Sequence, residues 1–387
     1  MLLFGILVGL FILVLLVAVH ELGHGIVARR NGVVVEEFGI GFPPKAWGKK
    51  IKRSILGKNV LFTLNWLPLG GFVKLQGEYD SARKKGDYGA ASYWTKTKIL
   101  LAGVLMNWLI AAMIFTILAL VGLPKILPNQ FSVAGDTQIA KQPVQVTMVE
   151  QDSPAQKAGL KQGDQLLRFN GADIPSSEDL VRYTKENAGK KVEIIYLRGG
   201  AEKIVPLTLR SDNSDKKGFL GVTSGQREEV KATWSAPIVG LGTTVQYTWV
   251  TLEGTAKLAW NALKGAAESL AFWDTTTRTV GNEKLNTVGK SVAGPVGILG
   301  IIFPQAQAAG LKQLVFLAGI ISLSLAVMNV LPIPALDGGR WFTMTLFRLL
   351  KKPLTKEREE KIQVIGFWIL ISLVILVTWA DVGKFTH

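Results

Sequence analysis

The chain has 387 residues, is 48% hydrophobic and carries a formal net charge of +15. It has no cysteine, which excludes disulfide bonds, thiolate metal sites and a cysteine nucleophile. The basic residues cluster between long uncharged blocks, and no nucleic-acid-binding motif accompanies them. This distribution is typical of membrane topology and of contact with anionic lipid, so we expect the lipid bilayer as a partner and no nucleic acid.

Four blocks are long enough to cross a membrane. Residues 1–19 contain no charge, and they lack the basic start and the small-residue cleavage site of a signal peptide, so we expect a retained helix. Three further spans are predicted at residues 99–123, 314–336 and 364–380. A weaker apolar stretch, residues 234–273, predicts a helix on the membrane surface, because charged residues recur there at helical intervals: Glu253, Lys257, Lys264 and Glu268.

The loops differ in their content of lysine and arginine. Residues 29–98 and 340–361 are dense in both, whereas residues 124–310 carry a more dilute mixture of basic and acidic residues. Because lysine and arginine favour cytoplasmic loops, the first two regions are predicted to face the cytoplasm. The N-terminus and residues 124–310 are then predicted to face outside.

A metal-binding pattern lies near the inner end of the first span, in the sequence His20-Glu21-Leu22-Gly23-His24. Residues four apart lie on one face of a helix, so both imidazoles can reach one zinc ion, with Glu21 placed as general base. The alternative is a hydrogen-bonded pair of histidines near a helix end. Three ionisable groups within a span are costly and usually functional, which favours the metal. The third histidine, His387, is the final residue and is predicted to be unstructured.

Catalytic zinc normally takes three protein ligands and keeps one position open. Without a cysteine or a spare histidine, the third ligand should be a carboxylate, and Asp337 is the clear candidate. Pro332 and Pro334 break the third span just before it, where a carboxylate can turn inward. The alternative is that Asp337 caps the next helix. Asp381, near the end of the last span, is a weaker candidate ligand.

These motifs resemble the site-2 protease family of intramembrane zinc metalloproteases, nearest to its bacterial branch that cleaves anti-sigma factors, the regulator of sigma-E protease-like proteins. The second motif consists of Asn329, Pro332, Pro334, Leu336, Asp337 and Gly338. The resemblance implies that His20, His24 and Asp337 bind one zinc ion and that Glu21 is the base. It also implies a bacterial inner-membrane protease of regulated intramembrane proteolysis. Its substrates would be single-pass proteins already trimmed outside, such as anti-sigma factors and remnant signal peptides.

Candidate substrate contacts lie in two regions. Residues 64–78 predict a short strand pair interrupted by Gly70-Gly71, which alone indicates an ordinary cytoplasmic hairpin. The resemblance implies a membrane-associated β-loop here, whose edge around Gly70, Gly71 and Phe72 pairs with an unwound substrate. Asn107 and Asn329 are amides within spans. They either join helices by hydrogen bonds or hold the substrate backbone or the developing oxyanion.

Residues 144–210 alternate as strands do and resemble the core of bacterial PDZ domains. Gly159, Gly163 and Gly171 are predicted to mark its turns. Residues 218–222 are predicted to be the carboxylate-binding strand and loop of a permuted PDZ domain. Such a module either binds a peptide C-terminus or covers the protease as a size filter.

The predicted fold is therefore a polytopic α-helical membrane protein of about four transmembrane helices, with a cytoplasmic membrane-associated β-loop and one extracytoplasmic PDZ-like α+β domain. The predicted segments are the first span with HExxH (1–28), the cytoplasmic β-hairpin region (29–97), the second span (98–123), the PDZ-like domain (124–225), the membrane-surface helical segment (226–310), the third span with the LDG motif and the following helix (311–350), and the fourth span (361–382).

Two other functions compete with a protease. A divalent-metal transporter would use the same ligands to line a path, but the chain has a lone site and no repeat architecture. A catalytically inactive scaffold would only present its PDZ domain, but the intact HExxH and Asp337 count against it.

Overall fold

The computed structural model describes residues 2–214, 217–270 and 274–385, so His387 lies outside the described residues. The chain divides into two compact units. The first unit comprises Met1–Ile117 and Pro237–His387, and the second unit comprises Leu118–Ala236.

Four helices of the first unit are long and apolar enough to cross a membrane: α1 (Leu2–Arg30), α2 (Tyr93–Val121), α9 (Leu311–Val330) and α11 (Lys356–Phe385). This confirms the predicted number of membrane helices. They are apolar all round, which suits lipid on their outer faces and neighbouring helices on their inner faces. The third of these helices, α9, ends six residues before the predicted boundary of 336, because Pro332 and Pro334 prevent helical hydrogen bonding from continuing after Val330.

The remaining helices of the first unit are shorter or less apolar. They are α5 (Ala236–Ser269), α6 (Thr275–Ser291), α7 (Pro295–Gly297), a π-helical turn (Ile298–Ile302), α8 (Phe303–Ala308) and α10 (Asp337–Leu349). The first half of α5 packs against α2, where Trp108 Nε1 donates to Thr248 Oγ1 at 3.0 Å. The surface position predicted for residues 234–273 remains a prediction, and residues 271–273 lie outside the described residues.

A long β-hairpin, β1 (Val35–Ser54) and β2 (Gly57–Leu75), joins α1 to α2. The start of β1 lies between two parts of β2, so that Phe38 is opposite Val73 on one side and Phe62 on the other. The strand pair predicted within residues 64–78 is wrong in extent, because residues 64–75 belong to the single strand β2, whose partner is β1. Basic residues in β1 had hidden its strand character.

The second unit is rich in β-strands. One sheet has the order β10-β5-β6-β8-β9, with β7 on β6, and a smaller sheet has the order β3-β11-β4. Two helices, α3 (Pro154–Lys157) and α4 (Ser177–Glu186), accompany them. The strands are β3 (Leu123–Pro124), β4 (Gln138–Lys141), β5 (Val144–Val149), β6 (Gln165–Phe169), β7 (Ala172–Asp173), β8 (Lys191–Arg198), β9 (Ala201–Thr208), β10 (Val222–Gly225) and β11 (Glu228–Lys231).

The buried core of the second unit is formed by alternate residues along its strands. Val144, Val146, Leu166 and Ile194 are almost fully buried between the larger sheet and its helices. The three glycines predicted at turns all adopt positive φ angles, between 78° and 96°, which glycine accommodates without steric cost: Gly159, Gly163 and Gly171.

Candidate metal centre

Three side chains converge at the junction of α1, α2 and the start of α10. His20 Nε2 lies 3.0 Å from Asp337 Oδ2, and His24 Nε2 lies 3.2 Å from the same oxygen. The two Nε2 atoms are 3.2 Å apart. Among the described residues, these three form the one group of histidine, aspartate or glutamate side chains whose ligand atoms lie close enough to share a metal ion.

The dimensions of this triangle fit zinc. Zinc–nitrogen and zinc–oxygen bonds of about 2.0–2.2 Å in a tetrahedron place neighbouring ligand atoms about 3.3 Å apart. The three separations in the structure, 3.0, 3.2 and 3.2 Å, therefore require only small shifts. Two imidazole nitrogens and one carboxylate oxygen are also a donor set that catalytic zinc uses. Both histidines are buried, whereas the Asp337 side chain is 20% exposed, so water can reach the centre.

A hydrogen bond fixes the orientation of His24. Its Nδ1 donates to the carbonyl oxygen of Ile99 on α2 at 2.7 Å. This bond places the ring proton on Nδ1 and leaves the Nε2 lone pair for a metal, as outer hydrogen bonds commonly do for metal-binding histidines.

Small residues let α1 and α2 approach closely enough for this geometry. A Cβ atom on Gly23 would lie 2.7 Å from the carbonyl oxygen of Ala102. A Cβ atom on Gly103 would lie 2.5 Å from His24 Nε2 and 2.7 Å from His20 Cε1. Small residues at helix interfaces are the usual means of close packing in membranes. Gly103 could not be identified from the sequence, since one glycine within an apolar span carries no signal of its own.

The chain break after α9 delivers Asp337 to the histidines. Ala335 adopts a φ of 74° and α10 begins at Asp337. Gly338 and Gly339 follow without room for side chains, because Cβ atoms there would lie 2.2 Å from the carbonyl oxygen of Val330 and 1.9 Å from that of Ile333. Asp337 does not act as the N-cap of α10, since that position is Leu336 and no side chain caps the helix.

A buried polar cluster anchors α10 on the turn after Asp337. The Arg340 guanidinium lies 4.7 Å above the Tyr88 ring, pairs with Glu359 of α11 at 3.2 Å and donates to the Glu78 carbonyl oxygen. Burial raises the pKa of Tyr88 above its ordinary value, so the phenol under the cation stays neutral. Arg340 thereby fixes the helix that carries Asp337, a role that its sequence position alone did not reveal.

Glu21 is held by the β-hairpin. Its Oε2 accepts a hydrogen bond from the Val73 backbone N–H at 3.0 Å. Val73 belongs to the outer part of β2, which pairs on its other side with the start of β1. The other edge of this strand, with which none of the described strands pairs, therefore faces the carboxylate next to the metal ligands.

The glycines of the predicted β-loop lie along the same strand. Gly70 adopts a φ of 90°, and a Cβ there would lie 2.9 Å from the Phe42 ring. Gly71 is buried, and a Cβ on it would lie 2.9 Å from the Gly39 carbonyl oxygen and 3.9 Å from Glu21 Cγ. Phe72 is partly buried with its ring over Gly39. The structure thus brings this strand to the Glu21 side of the centre.

The two asparagines lie in different surroundings. Asn107 is fully buried, and within the described part of the chain neither Oδ1 nor Nδ2 has a hydrogen-bond partner. It is four residues after Gly103 on α2, so it lies on the helix face that contacts the imidazoles, one turn away. Asn329 is partly buried in the last turn of α9.

The weaker candidate ligand, Asp381, lies in a different environment. It is fully buried, and its Oδ2 accepts a hydrogen bond from the Gly297 backbone N–H at 2.8 Å. Its carboxylate therefore joins α11 to α7 and does not belong to the group formed with the histidines.

Comparisons with known proteins place the chain in a family. A model of peptidase family M50 matches residues 8–373. A Clostridium perfringens protein named "Putative zinc metalloprotease" is 31% identical over 367 residues, 95% of each chain. The Bacillus subtilis "Regulator of sigma-W protease RasP" is 24% identical, covering 95% of this chain and 96% of that protein. The PDZ domain of a Listeria monocytogenes SdrC-like protein covers 24% of this chain and 93% of its own, at 24% identity and a TM-score of 0.20.

Proposed function

Because the chain belongs to peptidase family M50 and is a zinc metalloprotease, we propose that it hydrolyses transmembrane helices of single-pass proteins, with His20, His24 and Asp337 as its zinc ligands. The observation that carries the proposal is the triangle of two imidazole nitrogens and one carboxylate oxygen with edges of 3.0–3.2 Å. It lies among helices long and apolar enough to cross a membrane.

Glu21 is the proposed general base. Zinc, when bound, supplies Lewis-acid polarisation of the scissile carbonyl and makes water more acidic. Glu21 accepts the proton of the attacking water and transfers it to the leaving amine. The Val73 N–H that it accepts orients this carboxylate beside the ligands.

The free edge of β2 is the proposed site of substrate binding. A helix hides its amide bonds in internal hydrogen bonds, so a substrate must unwind before hydrolysis. An extended segment can then pair with the strand that contains Gly70, Gly71 and Phe72, as peptides pair with exposed sheet edges elsewhere. The unpartnered amide of Asn107 supports a role in holding the substrate backbone or the developing oxyanion. For Asn329, the same role is proposed from the motif alone.

The proposed location is the bacterial inner membrane, with the metal centre towards the cytoplasm. The basic residues support this orientation, since Arg29 and Arg30 end α1 one turn and a half after His24. The second unit would then lie outside as a PDZ-like module. We propose that it either binds a peptide C-terminus or admits only substrates already trimmed outside. Anti-sigma factors and remnant signal peptides are the substrates we propose to test first.

The decisive experiment uses purified full-length protein and a panel of labelled single-span helices. We expect cleavage by the native protein, loss of cleavage with a zinc chelator, recovery on adding zinc, and no cleavage by Glu21→Gln. Because Gln is isosteric with Glu, this variant should retain zinc. Equal cleavage by Glu21→Gln, or none by the zinc-loaded native protein on any helix, would refute the proposal.

A further inference from the structure

A second polar pocket lies in the first unit, away from the metal ligands. It has a volume of about 810 Å³ and is bounded by the loop before α2, the end of α10 and the start of α11. His20, Glu21, His24 and Asp337 are not among its lining residues. Nothing in the proposed hydrolysis uses this pocket.

Positive charge dominates its lining. Five cationic side chains, Arg83, Lys96, Arg348, Lys352 and Lys356, line it together with two carboxylates, Asp80 and Glu357. Lys356 also pairs with Glu360 at 3.7 Å. Lys96 is buried against Asp80, so this pair is neutralised within the protein. The pocket therefore keeps an excess of positive charge, which favours an anion.

Two of the cations are available to a ligand. Arg348 and Lys352 are exposed, and neither has a carboxylate within 4.0 Å among residues 2–214, 217–270 and 274–385. The Arg348 guanidinium stacks on the Tyr93 ring at 4.6 Å, while the Tyr93 hydroxyl hydrogen-bonds Thr345 Oγ1 at 3.0 Å. Arg348 is thus held at the pocket before any ligand arrives, which lowers the entropic cost of binding.

The position and the apolar wall of the pocket indicate an amphiphile. Both α2 and α11 begin at its edge, and both are long and apolar enough to cross a membrane. A bilayer crossed by these two helices would have its headgroups near the pocket. Tyr93, Phe347 and Leu354 supply apolar surface beside the cations. Basic pockets between transmembrane helices are known to receive anionic headgroups.

We propose that this pocket binds the phosphodiester headgroup of an anionic phospholipid, with Arg348 and Lys352 as its main contacts. The lipid would stabilise the start of α11 and the far end of α10, whose first residue is Asp337. This inference goes beyond the proteolytic function and does not depend on it. A free phosphate shares the same chemistry, and the experiment separates the two sources.

The test measures lipid retention by full-length protein in detergent, using native mass spectrometry with phosphatidylglycerol or phosphatidylcholine added. We expect the native protein to retain more phosphatidylglycerol than phosphatidylcholine. The double variant Arg348→Gln/Lys352→Gln should bind phosphatidylglycerol about 30-fold more weakly, since each basic residue near a membrane surface contributes about fivefold. The matched control is Lys49→Gln/Lys50→Gln, which removes two exposed charges from β1 and should bind as the native protein does.

Three results would overturn the proposal. The first is equal retention of phosphatidylglycerol and phosphatidylcholine by the native protein. The second is that the control variant weakens phosphatidylglycerol binding as much as the double variant does. The third is that inorganic phosphate alone raises the unfolding temperature of the native protein as much as phosphatidylglycerol does, and that this rise disappears in the double variant. The last result would assign the pocket to free phosphate. If the double variant does not fold, the single variant Lys352→Glu replaces it, since Lys352 is exposed. This variant should also bind phosphatidylglycerol more weakly than the native protein, and undiminished binding would contradict the proposal.

Discussion

Replacing Gly103 by alanine adds one carbon atom at the point where α2 meets both imidazoles. The added Cβ would lie 2.5 Å from His24 Nε2, 2.7 Å from His20 Cε1 and 2.8 Å from His20 Nδ1. Ordinary van der Waals contact begins near 3.4 Å, so the rings or the helices must move by most of an ångström. The ligand atoms of a metal site tolerate displacements of only about 0.2 Å.

The size of the effect follows from overpacking. An extra methyl group in a well-packed interior typically costs about 1–3 kcal/mol. If this cost falls on the arrangement that binds the metal, the affinity for zinc should decrease about 5- to 150-fold. Protein stability without metal should change less, because in that state the imidazoles can turn away from the added carbon.

The assay is competition for zinc between the full-length protein and a chromogenic chelator. Gly254→Ala is the matched control, since it makes the same change in α5 where a Cβ meets nothing within 4 Å. It should leave zinc binding unchanged and stabilise the helix by up to about 1 kcal/mol. Native zinc affinity in Gly103→Ala would refute the close approach of α1 and α2 described above.

Three further predictions concern other buried or bonded groups. Arg340→Met should destabilise the protein by about 3–5 kcal/mol in denaturant unfolding, because it leaves the buried Glu359 carboxylate without its cationic partner. The double variant Arg340→Met/Glu359→Leu should recover part of that lost stability. Asp381→Ala should lower the unfolding temperature but leave zinc content at one per chain, whereas loss of zinc would make this residue a ligand after all. Hydrogen bonds from Ser235 and Thr233 lower the pKa of Asp136 to about 2, so its stabilisation is fully present above about pH 4 and is lost as the pH falls through about 2. The Ser235 amide should therefore exchange hydrogen faster in Asp136→Asn than in the native protein at pH 6, and the difference should shrink as the pH falls through about 2.

The parts of the site that depend on local spacing could be predicted from the sequence. Two histidines four residues apart define one helix face, and their rarity in the chain drew attention to them. Asp337 was the leading candidate for the third ligand, with Asp381 as the weaker one, because few acids lie near an apolar block and prolines mark the break before Asp337. The structure brings these three residues together at hydrogen-bonding distances.

The supporting contacts could not be predicted, because each joins segments that are distant in the chain. The partner of His24 is a backbone carbonyl, that of Ile99, which any residue at that position would offer. The Val73 N–H that Glu21 accepts is likewise a backbone group. In the sequence Arg340 is one more basic residue, and its packing depends on Tyr88 and on the start of α11. The extent of the hairpin was missed because the lysines of β1 broke the strand alternation.

Crystallography of the zinc-loaded protein, with anomalous data collected on both sides of the zinc absorption edge, tests most directly whether His20, His24 and Asp337 hold one zinc ion. We predict one strong anomalous peak per chain, within about 2.2 Å of His20 Nε2, His24 Nε2 and an Asp337 carboxylate oxygen. A peak held by other side chains, or catalytically active protein with no peak between these three, would contradict the account.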